Sequence, residues 1–253
     1  MKKSKYLIAA VLTAALTFSA RATTIDLTGG PPAQGTINGA IFAASDLQPT
    51  GTGVFNPFLR AQQHGNIPGE RGYNTDGGFP FNDKHPHNFQ HSIRLASLAE
   101  FNISGVEYYK FTLDANQSGR TMHNFSLDQL QIYTSNSPAQ MTESFNPDGT
   151  VAFDATTHLA YNLNFGGGTA NNVLTTGTGS GKADMFAFIP VTDFVPAKYV
   201  ILYFGSGTNL KATGGFEEWK AATGAATPDG GTTALLLGGA LAGLGVVRRY
   251  VKR

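Results

Sequence analysis

The sequence predicts an all-β fold: an antiparallel β-sandwich, jelly-roll-like, flanked by an N-terminal signal peptide and a C-terminal hydrophobic helix. Three observations lead there. Short stretches of alternating or continuous apolar residues recur along the body, and clusters of Gly, Asn, Pro and Asp separate them. No stretch between the two ends carries apolar residues at helical spacing over an ordinary helix length. Strands with one or two apolar faces bury them by packing sheet on sheet.

The elements follow in chain order. Lys2, Lys3 and Lys5 precede an apolar run over 6–18, and Ala20-Arg21-Ala22 then supplies small residues at the A-x-A spacing. Basic, apolar and small residues in that order predict a signal peptide over 1–22, cut by signal peptidase after Ala22. A first core helix would need a polar side, and this run has none. Candidate strands in the 23–222 body begin with "TTIDL" (23–27), "AIFAA" (40–44) and "HSIRLASL" (91–98). "GVEYYKFTLDAN" (105–116) puts Tyr109, Phe111 and Leu113 on one face and Tyr108, Lys110 and Thr112 on the other. "LDQLQIYT" (127–134) sets Leu130 and Ile132 against Gln129, Gln131 and Tyr133 in the same way. "TVAFD" (150–154) is a shorter candidate. "DMFAFIPV" (184–191) and "KYVILYFG" (198–205) are apolar on both sides, as central strands covered on both faces would be. "FEEWKA" (216–221) closes the series. Two tracts rich in Gly, Asn and Thr, over 65–90 and 162–182, lack periodicity and are expected to be loops, the second a surface excursion.

Residues 223–231 are a linker that ends in Pro228-Asp229-Gly230-Gly231, where proline and glycine keep the chain extended and open to an enzyme. An apolar segment over 232–247 follows, and a basic tail over 248–253 carries Arg248, Arg249, Lys252 and Arg253. As a helix, 234–247 is about 21 Å long, or about 24 Å with Thr232 and Thr233, against the roughly 30 Å of a bilayer core. Such a segment holds a chain in the membrane briefly and serves poorly as a permanent span. The basic tail would stay on the cytoplasmic side, leaving the body outside.

Charge and composition exclude several classes. Eight of the 18 basic residues lie in the two ends, so residues 23–226 hold 10 basic against 16 acidic side chains. An acidic body repels nucleic acid, which is not an expected partner. The absence of cysteine removes thiol catalysis, thiolate metal sites and disulfide staples. "GTGSGKA" lacks the first glycine of a phosphate loop and has Ala183 where Ser or Thr would hold magnesium. Ser180 is not in a G-x-S-x-G turn, because Thr178 takes the first glycine's place. No catalytic residues are assigned, and no enzymatic activity is expected.

Two constellations remain as ligand candidates. Asp114, Asn116 and Ser118 present oxygen at alternate positions before Gly119, the first half of a calcium loop, while Phe125 replaces the glutamate that an EF-hand needs. Either a looser calcium site borrows Glu217 or Glu218, or the stretch is a plain turn in which Asp and Asn bond their own backbone. His85, His87 and His91 could bind zinc or simply be solvated. Tyr108, Tyr133 and Trp219 could offer faces to sugars or belong to the core.

"TPDGGTTALLLGGALAGLGVVRR" resembles the PEP-CTERM class of bacterial sorting signals in its VPDSG variant. Pro228, Asp229 and the Arg248–Arg249 pair match, and Thr227 stands where that class usually has Val. The resemblance implies processing by an exosortase, a Gram-negative-type envelope, transient anchoring in the inner membrane and delivery to the cell surface or outside, with export tied to exopolysaccharide. The body is similar to a group of such proteins through "GVEYYKFTLDANQ", "FSLDQLQIY", "DMFAFIPV", "YVILYFG" and "GGFEEW", in that order. That group implies no enzymatic activity. The expected role is structural or adhesive in an exopolysaccharide matrix, with a carbohydrate-binding module as the alternative and a glycan-active enzyme as a third.

Overall fold

A computed structural model of the chain describes residues 22–45, 55–62, 69–81, 89–117, 124–165, 170–177, 181–211 and 215–224. Among the described residues fourteen strands build two seven-stranded sheets. The first sheet contains β1 (Thr24–Asp26), β5 (Arg71–Tyr73), β6 (Ile93–Arg94), β9 (Asn124–Ser135), β10 (His158–Asn162), β11 (Asn172–Thr176) and β13 (Tyr199–Ser206). The second contains β2 (Gln34–Ile37), β3 (Ala40–Ala44), β4 (Leu59–Gln62), β7 (Glu100–Ile103), β8 (Val106–Ala115), β12 (Met185–Pro190) and β14 (Phe216–Ala221). The only helical pieces among the described residues are the 3₁₀ turns Leu95–Ser97 and Val191–Asp193.

The first sheet runs β1-β11-β9-β13-β5, with β10 beside β9 and β6 beside β13. The second runs β2-β3-β12-β8-β14-β4, with β7 beside β8. The long strands β9 and β8 are the spines, each pairing along its length with several partners. The sandwich is as expected, but its pairing is mixed. β1 lies parallel to β11, with Thr24 opposite Asn172, whereas the other strand pairs are antiparallel. The chain leaves β1 for the other sheet before returning, so no hairpin forces that pair to be antiparallel.

Side-chain alternation builds the core as expected. Tyr109, Phe111 and Leu113 of β8 face Leu130 and Ile132 of β9 and Val200, Leu202 and Phe204 of β13 in one buried cluster. β13 is apolar on both sides because its outer face is buried too. There Ile201 and Tyr203 join Tyr73, Tyr133 and Val151, with Phe81, Phe145, Phe153 and Leu159 packed on them. "TVAFD" belongs to this cover as a single bridge between Phe145 and Val151, where a strand was expected. β12 differs. Its outer Phe186 and Phe188 are only half-buried, and Lys110 Nζ lies 4.9 Å from the Phe186 ring centre. A lysine ammonium, rather than a third layer, covers the Phe186 face.

The tract over 162–182 corrects its expectation: it holds β11, hydrogen-bonded between β1 and β9. Asparagines tie it in. Asn171 Nδ2 donates to Leu163 O at 2.7 Å, its Oδ1 accepts from Thr23 N at 2.8 Å, and Asn171 N donates to Asn164 Oδ1 at 2.7 Å. The tract over 65–90 likewise contains β5 and the buried Asn74, which donates to Val200 O at 3.0 Å and accepts from Leu202 N at 2.6 Å. That side chain serves the β13 edge where a strand's backbone would otherwise be needed.

Candidate functional site

The "LDANQ" and "GFEEW" stretches meet at one end of the sandwich. Asp114 and Glu218 are directly opposite each other across β8 and β14, and Glu217 is opposite Ala115. Because side chains alternate, Asp114 and Glu218 point to the outer face of the second sheet while Glu217 and Trp219 point inward. Asp114 Oδ2 accepts from Gly181 N, and its Oδ1 has no hydrogen-bond partner although the residue is fully buried. Asp184, which precedes β12, accepts from Ala115 N at 2.9 Å. Glu218 pairs with Arg60 at 3.6 Å, and the Arg60 guanidinium lies 3.9 Å from the Phe89 ring centre and 4.4 Å from that of Phe216. On the inner side, Gln117 Nε2 donates to Glu217 Oε1, and Glu70, also fully buried, shares a hydrogen bond with Glu217.

Close backbone approaches frame this end. A Cβ on Gly177 would lie 1.5 Å from Ala115 O, and one on Gly215 would lie 1.2 Å from Asn116 O. Only glycine lets these loops seat against the end of β8.

Burial sets the protonation of the cluster. It pushes Asp114 up to about 7, against the pull of the Gly181 N–H, with the Glu218 charge adding to the rise. It pushes Asp184 up to about 8, with a further contribution from Asp114. Burial and then the Glu70 carboxyl raise Glu217 well above the usual range. Glu218 is raised by burial and partly restored by Arg60. At this end of the sandwich the buried carboxyls therefore hold their protons more tightly than free carboxyls do.

Of the expected calcium residues, Asp114 and Glu218 share a face, Glu217 lies on the opposite face, Asn116 sits beyond the end of β8, and Ser118 is outside the described residues. Among the described residues no group of three or more His, Asp or Glu side chains is arranged to hold a metal ion. His85 and His87 are outside the described residues, whereas His91 donates its backbone N–H to Phe58 O at 3.0 Å. The three aromatics considered for sugar stacking are buried: Trp219 fully, Tyr133 in the outer cluster of the first sheet, and Tyr108 at 8% exposure. Asp128 of "FSLDQLQIY" is a structural clasp. It accepts from Thr208 N at 2.6 Å, from Asn209 Nδ2 at 2.7 Å and from Ser126 Oγ at 2.7 Å, and so closes the turn after β13.

Two features escaped the sequence reading. Glu70 and Asp184 complete the acid cluster from remote positions, and no spacing signal links them to Asp114. The other is a recess of about 360 Å³ at the edge of the second sheet beside the start of β4, lined by Asn56, Lys110, Thr112, Lys220 and Thr223 together with Phe58 and Ile93 of the core. Alternation along β8 and β14 predicts that Lys110 and Lys220 share a face, but only the register, with Lys220 opposite Thr112, shows that they are near neighbours.

The sorting residues Pro228, Asp229, Gly230, Gly231, Arg248 and Arg249, the 232–247 segment and the cleavage residue Ala20 lie outside the described residues, and Ala22 is the first described. Among the described residues no helix is long and apolar enough to cross a membrane. Residues 228–250 match the VPDSG-CTERM motif, so the chain carries a sorting domain of the PEP-CTERM type. No curated protein and no solved structure matches the chain significantly.

Proposed function

We propose that the chain is an exported cell-surface or extracellular-matrix protein with a non-catalytic, structural or adhesive role linked to exopolysaccharide, its sorting motif being the address and the sandwich the cargo. The observation that carries this reading is the VPDSG-CTERM match over 228–250, which implies a secreted or cell-surface protein handled by an exosortase-type system. The steps follow from the physics of each segment. The 1–22 signal starts export and is removed by signal peptidase. The 232–247 segment then halts in the inner membrane as a helix, because only a helix satisfies its backbone there. Arg248 and Arg249 hold the tail on the cytoplasmic side. Pro228-Asp229-Gly230-Gly231 is thereby presented outside as an extended substrate, and cleavage frees the body.

Substituting Arg248→Gln and Arg249→Gln together should halve the orienting charge, leaving Lys252 and Arg253. The expected result is accumulation of a longer, membrane-associated form and less processed protein outside, seen by immunoblotting of fractionated cells. Normal processing of that variant would contradict the role assigned to the arginines.

A carbohydrate-binding module is the second reading. The recess between two lysines on an otherwise acidic body favours it.

A further inference from the structure

We propose that the Lys110–Lys220 recess is a binding site for a carboxylate-bearing saccharide, such as a uronic-acid unit of an acidic polysaccharide. The inference rests on the exported, matrix-facing reading for the saccharide class, and on the geometry for the charge. Lys110 Nζ is held 4.8 Å from the Phe101 ring centre and 4.9 Å from that of Phe186, and Lys220 Nζ lies 4.6 Å from the Phe55 ring centre. These faces fix the two ammonium groups without neutralising them. Neither has a carboxylate partner within salt-bridge distance among the described residues, in a body that carries more acidic than basic side chains. Burial lowers the Lys110 pKa, and the neighbouring Lys220 ammonium lowers it further, so an anion placed between them relieves both costs.

The rest of the lining fits a sugar rather than a bare ion. Asn56, Thr112 and Thr223 bring amide and hydroxyl groups to the same recess, and the apolar edges of Phe58 and Ile93 border it. A cavity of about 360 Å³ falls in the range of small-molecule sites, roughly 300–1,000 Å³, and exceeds what a single inorganic ion needs. Charge selects the carboxylate, and the neutral donors and apolar edges select the ring that carries it.

The test is titration calorimetry of the exported protein as isolated. The probes are an oligogalacturonate of defined length, its fully methyl-esterified form, sodium sulfate at matched ionic strength and a polyglutamate peptide. Saturable binding of the oligogalacturonate is expected, with affinity about tenfold or more weaker for the methyl ester. Sulfate and polyglutamate should bind weakly or not at all. Lys110→Met and Lys220→Met keep an unbranched side chain beside the aromatic faces, so each should fold and lose about tenfold or more in affinity. Lys198→Met, an exposed lysine away from the recess, should bind as the parent does.

No saturable binding, equal binding of acid and ester, or tighter binding of sulfate or polyglutamate would overturn the proposal. So would unchanged affinity in both recess variants. The acid–ester comparison uses the parent protein, so the test survives a variant that fails to fold. A correctly processed protein that binds none of the probes refutes the recess and leaves the sorting reading standing. Binding by a protein that keeps its tail does the reverse.

Discussion

Raising the pH from about 5 to about 9 should lower the melting temperature of the folded body by at least about 5 °C, measured by calorimetry. The cause is the acid cluster at the end of the sandwich. Asp114 and Asp184 are pushed up to about 7 and about 8, and Glu217 and Glu218 are raised as well. Each folded carboxyl binds its proton more tightly than it does in the unfolded chain. Their contribution is therefore complete below the ordinary carboxylate range and is lost as pH climbs through the folded values. The opposing groups are too few to cancel this: Lys220 and Lys182 act on the two aspartates, and Arg60 acts on Glu218. Asp26, Asp148 and Asp154 are lowered by threonine hydroxyls and work in the other direction, so their share is lost as pH falls below the ordinary range. The stability maximum should then lie in mildly acidic solution. Millimolar calcium should leave the alkaline limb unchanged, because among the described residues no three His, Asp or Glu side chains are arranged to hold a metal ion. A calcium-dependent rise in melting temperature near pH 8 would instead place a cation among these carboxyls.

Truncating Trp219 should destabilise the body by about 3–5 kcal/mol and lower the melting temperature by about 10 °C. Trp219 is fully buried, lies opposite Leu59 on one neighbouring strand and Leu113 on the other, and its ring centre is 6.1 Å from that of Phe204 in the facing sheet. Trp219→Ala removes the largest side chain at the contact between the sheets, and neighbours on two flanking strands cannot collapse into the space together. Trp219→Phe should cost less, because it keeps an aromatic in the same slot. Since this is the single tryptophan of the chain, its fluorescence reports on this contact alone. The parent should emit at short wavelength when folded and shift to the red in one step with denaturant. A native spectrum already typical of exposed tryptophan would contradict the buried position.

The spines of the fold were legible because they obey the pleat. Tyr109, Phe111 and Leu113, and likewise Leu130 and Ile132, alternate with polar neighbours on strands long enough for the period to stand out. β11 was not legible, because in "NNVLTT" the asparagines look like loop residues. In the fold Asn171 is a buried connector that satisfies the backbone groups of Thr23 and Leu163. β5 is hidden for a similar reason: beside it the Asn74 side chain, not a strand, completes the edge of β13. Sequence alone left open whether Glu217 or Glu218 accompanies Asp114; the register puts Glu218 on its face, since adjacent residues on a strand point to opposite faces. Asp184 and Glu70 could not have been found by spacing, because they stand at the starts of other strands, Asp184 just before β12 and Glu70 just before β5. The address at the C-terminus was the reverse case. It is a linear motif, so the order of residues carries it without any fold.

Intact mass of the exported protein tests the central claim most directly. The account predicts a polypeptide that begins at Thr23 and has lost most residues from about Thr227 onward, including Arg248 and Arg249. A mass that still contains the "RRYVKR" end, or a full-length chain confined to the cytosol, would contradict it.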